Sequence, residues 1–163
     1  YEFWSKLPDA TGLVGQFSMG NEPSFHIPYL FNFTNSPWKT QKWTRFLLDT
    51  WFKDNVFGIP GDEDGGGMSA FVVFSAMGFY PVTPGIPEYT ITSPLFEEVT
   101  INLENGNKFT VRAAGLSVEK KYIQSARLNG KTMEKPWFTH EDLMSGGVLE
   151  LEMGRLPNKK LWN

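Results

Sequence analysis

Near Gly85 the hydrophobic period of the chain changes from helical to strand-like, and no other feature constrains its fold as much. Upstream, Ser36-Pro37 reads as an N-cap followed by a first-turn proline. Trp38, Trp43, Phe46, Leu47 and Phe52 then recur near helical spacing until Asn55 and Gly58 stop the run, which predicts a helix of about four to five turns. The run from Ser69 to Met77 is apolar nearly all round and ends at Gly78, the pattern of a helix buried on most sides and capped by glycine. Phe71 to Phe74 is also β-prone, so a strand pair is the alternative; the small residues Ala70, Ser75 and Ala76 favour close helix packing. A shorter aromatic stretch between Pro23 and Phe33 is read as helical as well.

Beyond Pro87 the period becomes two, in runs at 89–92, 99–103, 109–112, 122–128 and 148–153. Asn105-Gly106-Asn107 and Asn129-Gly130-Lys131 separate neighbouring runs, as hairpins require, because glycine and asparagine tolerate positive φ. The expected class is α+β: helices over 1–87, then an antiparallel, sandwich-like β layer over 88–163.

The composition narrows function mainly by exclusion. Fifteen Lys and Arg stand against 18 Asp and Glu, and no basic cluster interleaves with aromatics, so nucleic acid is not an expected partner. No apolar run approaches the roughly 20 residues that span a bilayer, and Tyr1-Glu2-Phe3-Trp4 lacks a signal-peptide layout. Without cysteine there is no disulfide, zinc–thiolate site or thiol nucleophile. The two histidines, His26 and His140, are not at metal-ligand spacing; the apolar neighbours of His26 suggest a core residue, and His140 a turn. The 14 Phe, 6 Trp and 5 Tyr could stack on sugar rings, although most should fill cores.

Two polar constellations carry the chemical signal. In Gly61-Asp62-Glu63-Asp64-Gly65-Gly66-Gly67, three consecutive carboxylates lie between glycines just before the apolar helix. Like charges this close repel, so a cation, hydrogen-bond donors or a pKa shift must offset the cost; the plainer reading is an acidic turn that caps the helix. An EF-hand is excluded, because counting from Asp62 places Val73 where a bidentate Glu is required. The second, Gly20-Asn21-Glu22-Pro23-Ser24-Phe25-His26, gathers hard oxygen donors suited to calcium, or is simply a polar helix start. Asn32-Phe33-Thr34 matches a glycosylation sequon.

Taken in order, the blocks 20–30, 37–41, 58–70, 74–82 and 136–142 resemble the glycoside hydrolase family 92 pattern across essentially the whole chain. The resemblance implies the C-terminal portion of an inverting, calcium-dependent exo-α-mannosidase, with residues 1–87 as the closing helices of an (α/α)6 barrel. It implies Asp64 as general base with Asp62 assisting, Glu22, Trp38 and Lys39 on the substrate side, and Asn21 and Glu22 near a Ca2+ ion. It also implies mannose-containing glycans as substrate, a role in N-glycan degradation, and a periplasmic or extracellular location in a bacterium. In the family the general acid is a glutamate upstream of the Asn-Glu-Pro block. The isolated chain is therefore expected to lack activity and to need the N-terminal part of its own polypeptide. The alternative reading, from a different class, is that the β-rich half is an autonomous carbohydrate-binding or structural module and the acidic loop is structural.

Overall fold

The computed structural model describes residues 11–163, so the reading of Tyr1 to Trp4 lies outside the described residues. A small hairpin of β1 (Leu13–Val14) and β2 (Phe17–Ser18) leads into two 3-10 helices, Glu22–Ser24 and Ile27–Phe33. Pro23 and Pro28 each sit in a first turn, where a missing N–H costs nothing. Helix α1 spans Trp38–Trp51. No side chain caps its start, contrary to the expected role of Ser36: Pro37 already has helical angles, and the Ser36 backbone carbonyl accepts the Lys39 N–H at 2.9 Å. The helix ends before Asn55, because Phe52 turns extended and Lys53 and Gly58 close a separate turn at 3.0 Å.

Helix α2 spans Gly67–Met77, between Gly66 and Gly78, both left-handed. The Gly78 N–H reaches the carbonyls of Phe74 and Ser75, each at 3.1 Å, so the glycine cap forms as expected. Burial on most sides does not follow within this chain: Met68, Phe71, Ser75 and Ala76 face inward, whereas Ser69, Ala70 and Val73 are exposed.

The second half builds two sheets. One has the order β5 (Glu98–Asn102), β6 (Lys108–Ala114), β10 (Gly147–Gly154), β7 (Tyr122–Leu128), β8 (Lys131–Thr132). The other has β3 (Phe79–Tyr80), β4 (Glu88–Ile91) and β9 (Trp137–Thr139), and β9 leads into a short helix α3 (His140–Ser145). Hairpins form at Asn105-Gly106 and Asn129-Gly130, and Asn129 takes φ +51 as asparagine readily does. The expectation of a wholly antiparallel sheet is corrected at one pairing. Strand β10 lies parallel to β6, with Leu149 opposite Val111, because the chain after β8 crosses back to fill the gap between β6 and β7. Alternating inward residues of both sheets share one core, in which Phe109 stacks on Phe138 and meets Phe79 edge-on.

A second core, built from Met19, Phe25, Tyr29, Leu47, Leu48, Met68 and Phe71, belongs to the helical half. Between the cores runs a polar seam. Asn32 Nδ2 donates to the Ile91 carbonyl at 2.7 Å, the Ile123 N–H donates to Gln41 Oε1 at 2.8 Å, and Arg45 Nη1 donates to the Pro94 carbonyl at 2.9 Å. Thr44 and Thr92 bond through their hydroxyls. Each is a buried group whose partner lies across the seam, so either half alone would strand the other's donors and acceptors.

Candidate functional site

Glycine geometry brings the two polar constellations together. A Cβ built on Gly61 would stand 2.3 Å from the Gly20 carbonyl oxygen and 2.7 Å from its Cα, so the two backbones touch where no side chain fits. Gly20 is equally tight, since its Cβ would fall 1.9 Å from Thr11 Oγ1 and 2.7 Å from the Pro60 carbonyl oxygen. With the loops pinned there, Glu22 lies against the start of α2, its Cγ 3.1 Å from where a Gly67 Cβ would be.

The carboxylates then divide by role. Both oxygens of Glu63 face the Ser69 N–H, at 3.1 and 3.3 Å, so this acid caps α2. Asp62 and Asp64 are exposed, and Asp64 has φ +46, a left-handed conformation that L side chains rarely adopt. Such strain persists where the surroundings impose it, commonly at functional sites. Glu22 is half-buried, and its Oε1 is buried without a hydrogen-bond partner. Burial raises the Glu22 pKa; hydrogen bonding to the Asp64 carboxyl and the charges of Asp64 and Asp62 raise it further, against a lowering by its own backbone N–H. Glu22 therefore shares one electrostatic site with Asp62 and Asp64, which lie 40 and 42 residues further along the sequence.

Tyr80, at the end of β3, flanks it while packing on the helical core. Its ring stacks on Tyr29 at 5.2 Å and meets Phe71 at 5.4 Å, while burial and then the Glu22 charge raise its phenol pKa. The sequence signals Tyr80 only through its place in a motif block, and Gly67 only as one of the glycines that flank the three carboxylates.

Trp38 and Lys39 form a separate cation–π cluster. Lys39 Nζ lies 5.6 Å from the Phe31 and Trp38 rings, and Lys159 Nζ lies 5.9 Å from Trp38. Asn21 joins the Glu22 turn through its backbone carbonyl, which accepts the Ser24 N–H at 3.1 Å, and its side chain makes no cap bond.

For a hard divalent cation the donor chemistry fits: neighbouring carboxylate oxygens, one of them buried and unpartnered. Among the described residues, however, no group of three or more His, Cys, Asp or Glu has metal-holding geometry. Six to eight oxygens would thus have to include carbonyls, amides, water or groups from elsewhere.

Three expectations are corrected. His26 is exposed, because Phe25, Pro28 and Tyr29 of the same turns take the inward positions. His140 opens α3, behind a Thr139–Asp142 capping box, and its Nδ1 lies 2.9 Å from Tyr89 Oη. Asn32, the sequon asparagine, is buried and spends its amide on the Ile91 carbonyl, which leaves no room for a glycan.

Neighbouring carboxylates, two of them exposed, are equipment that glycoside hydrolases use. The family model for the glycosyl hydrolase family 92 catalytic domain matches residues 2–155, and the chain belongs to that family. It is 39% identical over 140 residues to a secreted glycosidase of Arthroderma benhamiae, covering 84% of this chain and 18% of that protein. A family 92 α-mannosidase from Bacteroides thetaiotaomicron superposes with a TM-score of 0.89 at 36% identity, over 93% of this chain and 21% of its own. An inverting family 92 mannosidase from the same species gives 0.85 at 45% identity, over 91% and 20%. The chain thus spans about a fifth of the length of these relatives. Among the described residues no helix is long and apolar enough to cross a membrane.

Proposed function

We propose that the chain is the water-activating part of an inverting exo-α-mannosidase that removes terminal α-linked mannose from exported or extracellular glycans, N-glycans among them. The observation that carries this reading is that Glu22 interacts with Asp62 and the left-handed Asp64, on loops whose backbones touch at Gly20 and Gly61.

In this reading Asp64 accepts a proton from water as the water oxygen bonds to the anomeric carbon from the face opposite the leaving group, and Asp62 orients that water. The glycosidic C–O bond breaks with its electron pair passing to the leaving oxygen, which takes a proton from an acid elsewhere in the parent polypeptide; the two carboxyls of such a pair stand about 6.5–9.5 Å apart. Glu22, with Asn21 beside it, would hold a Ca2+ ion; when bound, that ion supplies a Lewis-acidic contact for mannose hydroxyls. Trp38 and Lys39 offer an aromatic face and an ammonium to substrate further out. Residues 1–87 act as closing helices of an (α/α)6 barrel, and 88–163 as the layer that buttresses them.

The test is Asp64→Asn in the full-length parent. Turnover should fall by roughly 10²–10⁴-fold, the usual worth of general acid–base catalysis, with folding intact because the side chain is exposed. Near-normal turnover rejects Asp64 as base. Chelation should abolish activity and added calcium restore it, and this chain alone should not cleave mannosides; cleavage by the chain alone overturns the divided site.

A further inference from the structure

We infer that Gly67 is a positioning residue, whose missing side chain forms the seat that holds the Glu22 carboxyl beside Asp64; this rests on the reading of the site above. Gly67 is the first residue of α2 and has φ −61 and ψ −46, ordinary helical angles that alanine adopts freely. Its backbone therefore gives no reason for glycine, unlike Gly65 and Gly66, whose φ values are +66 and +101. The reason is steric. A Cβ at position 67 would stand 3.1 Å from Glu22 Cγ, 3.3 Å from Oε1 and 3.7 Å from Cδ, and these three nearest atoms all belong to Glu22.

Glu22 has little freedom to give way. Its own turn is fixed by the Phe25 N–H on the Glu22 carbonyl at 3.0 Å and by Pro23 behind it, and its Oε1 is buried. A displacement of a few tenths of an ångström would therefore be taken up at the carboxyl and would change its approach to Asp64. Reacting groups are sensitive to such shifts, since misplacement by about an ångström can cost 100-fold in rate. Gly67 thus acts through Glu22 and not on substrate.

The experiment is a double-mutant cycle in the full-length parent: wild type, Gly67→Ala, Glu22→Ala and the pair, read by thermal melting and by steady-state kinetics. With Glu22 present, Gly67→Ala should lower Tm and reduce kcat about 10-fold or more with a smaller change in KM. With Glu22 truncated, the same change should raise Tm, because alanine at a compatible helical position restricts the unfolded chain and no longer meets a side chain. The reversal of sign is the signature. An equal Tm change in both backgrounds, or a kcat for Gly67→Ala within twofold of wild type, overturns the inference. If Gly67→Ala fails to fold, recovery of folded protein in the pair supports the seat, and failure of both overturns it. The Tm arm does not depend on Asp64 being the base, so a near-normal Asp64→Asn enzyme would defeat the catalytic reading while leaving the seat to stand or fall on its own.

Discussion

The two halves of the chain finish their cores to different degrees. In the β half, twelve buried residues from both sheets and α3 close on one another, and Phe109, Ala113 and Leu149 have no exposure at all. The helical half, residues up to 87, has a core of seven buried residues and leaves Ile27, Leu30, Phe33, Phe46, Val56, Phe57, Ile59, Val73 and Ile86 in the open, nine of the twelve large hydrophobic residues exposed among those described. An apolar surface of that extent is the kind another element covers. The site follows the same division: its acids, and the Tyr80 ring beside them that packs on the helical core, all come from the open half. A rigid β layer that anchors an incomplete helical layer is what the proposed barrel requires of this part of the polypeptide.

The contrast is sharpest where side chains are removed. Phe109→Ala should destabilise the chain by about 3–5 kcal/mol, measured by urea unfolding, because it opens a cavity in a closed core. Phe57→Ala, at 89% exposure, should stay within about 0.5 kcal/mol of wild type in the same assay. Equal costs at the two sites would erase the distinction between a finished and an unfinished core.

At the seam, Gln41→Leu leaves the Ile123 N–H buried without an acceptor and should cost about 1–3 kcal/mol. The deficit should appear as earlier exchange of β7 amides, showing that the helical half stabilises the β half through hydrogen bonds. A loss confined to α1 would instead separate the halves.

The smallest effect concerns pH. The Glu22 pKa lies above its ordinary 4.5 in the folded chain, through burial first and then through Asp64 and Asp62, so the folded state holds this proton more tightly than the unfolded state does. That contribution is fully present below about pH 4.5 and is lost as pH rises through the folded value. Glu22→Gln stays neutral throughout, so its Tm advantage over wild type should widen between pH 4 and pH 7. A constant or shrinking difference would remove the electrostatic link between the loops.

Much of the local structure was legible in the residues. Helical spacing from Trp38 and the glycine stop at Gly78 gave α1 and α2, and the Asn-Gly pairs gave both hairpins, since each signal acts over a few residues. The acidic loop and the Asn-Glu-Pro block stood out as chemistry, although composition alone did not join them. Errors fell where distant partners decide. The parallel pairing of β10 with β6, the exposure of His26 and the burial of Asn32 all depend on which surfaces meet, and periodicity does not carry that information.

The sequence by itself determined most of the helices and strands, the glycine cap at Gly78 and the family to which the chain belongs, because propensities, turn residues and motif order are written locally. Tertiary structure alone decided that Gly20 and Gly61 bring their backbones into contact, that Glu63 caps α2 while Glu22 faces Asp62 and Asp64, and that Gly67 leaves space for a carboxyl. The physical reason is that steric fit and charge coupling act across a few ångströms of space, whatever the number of residues between the groups.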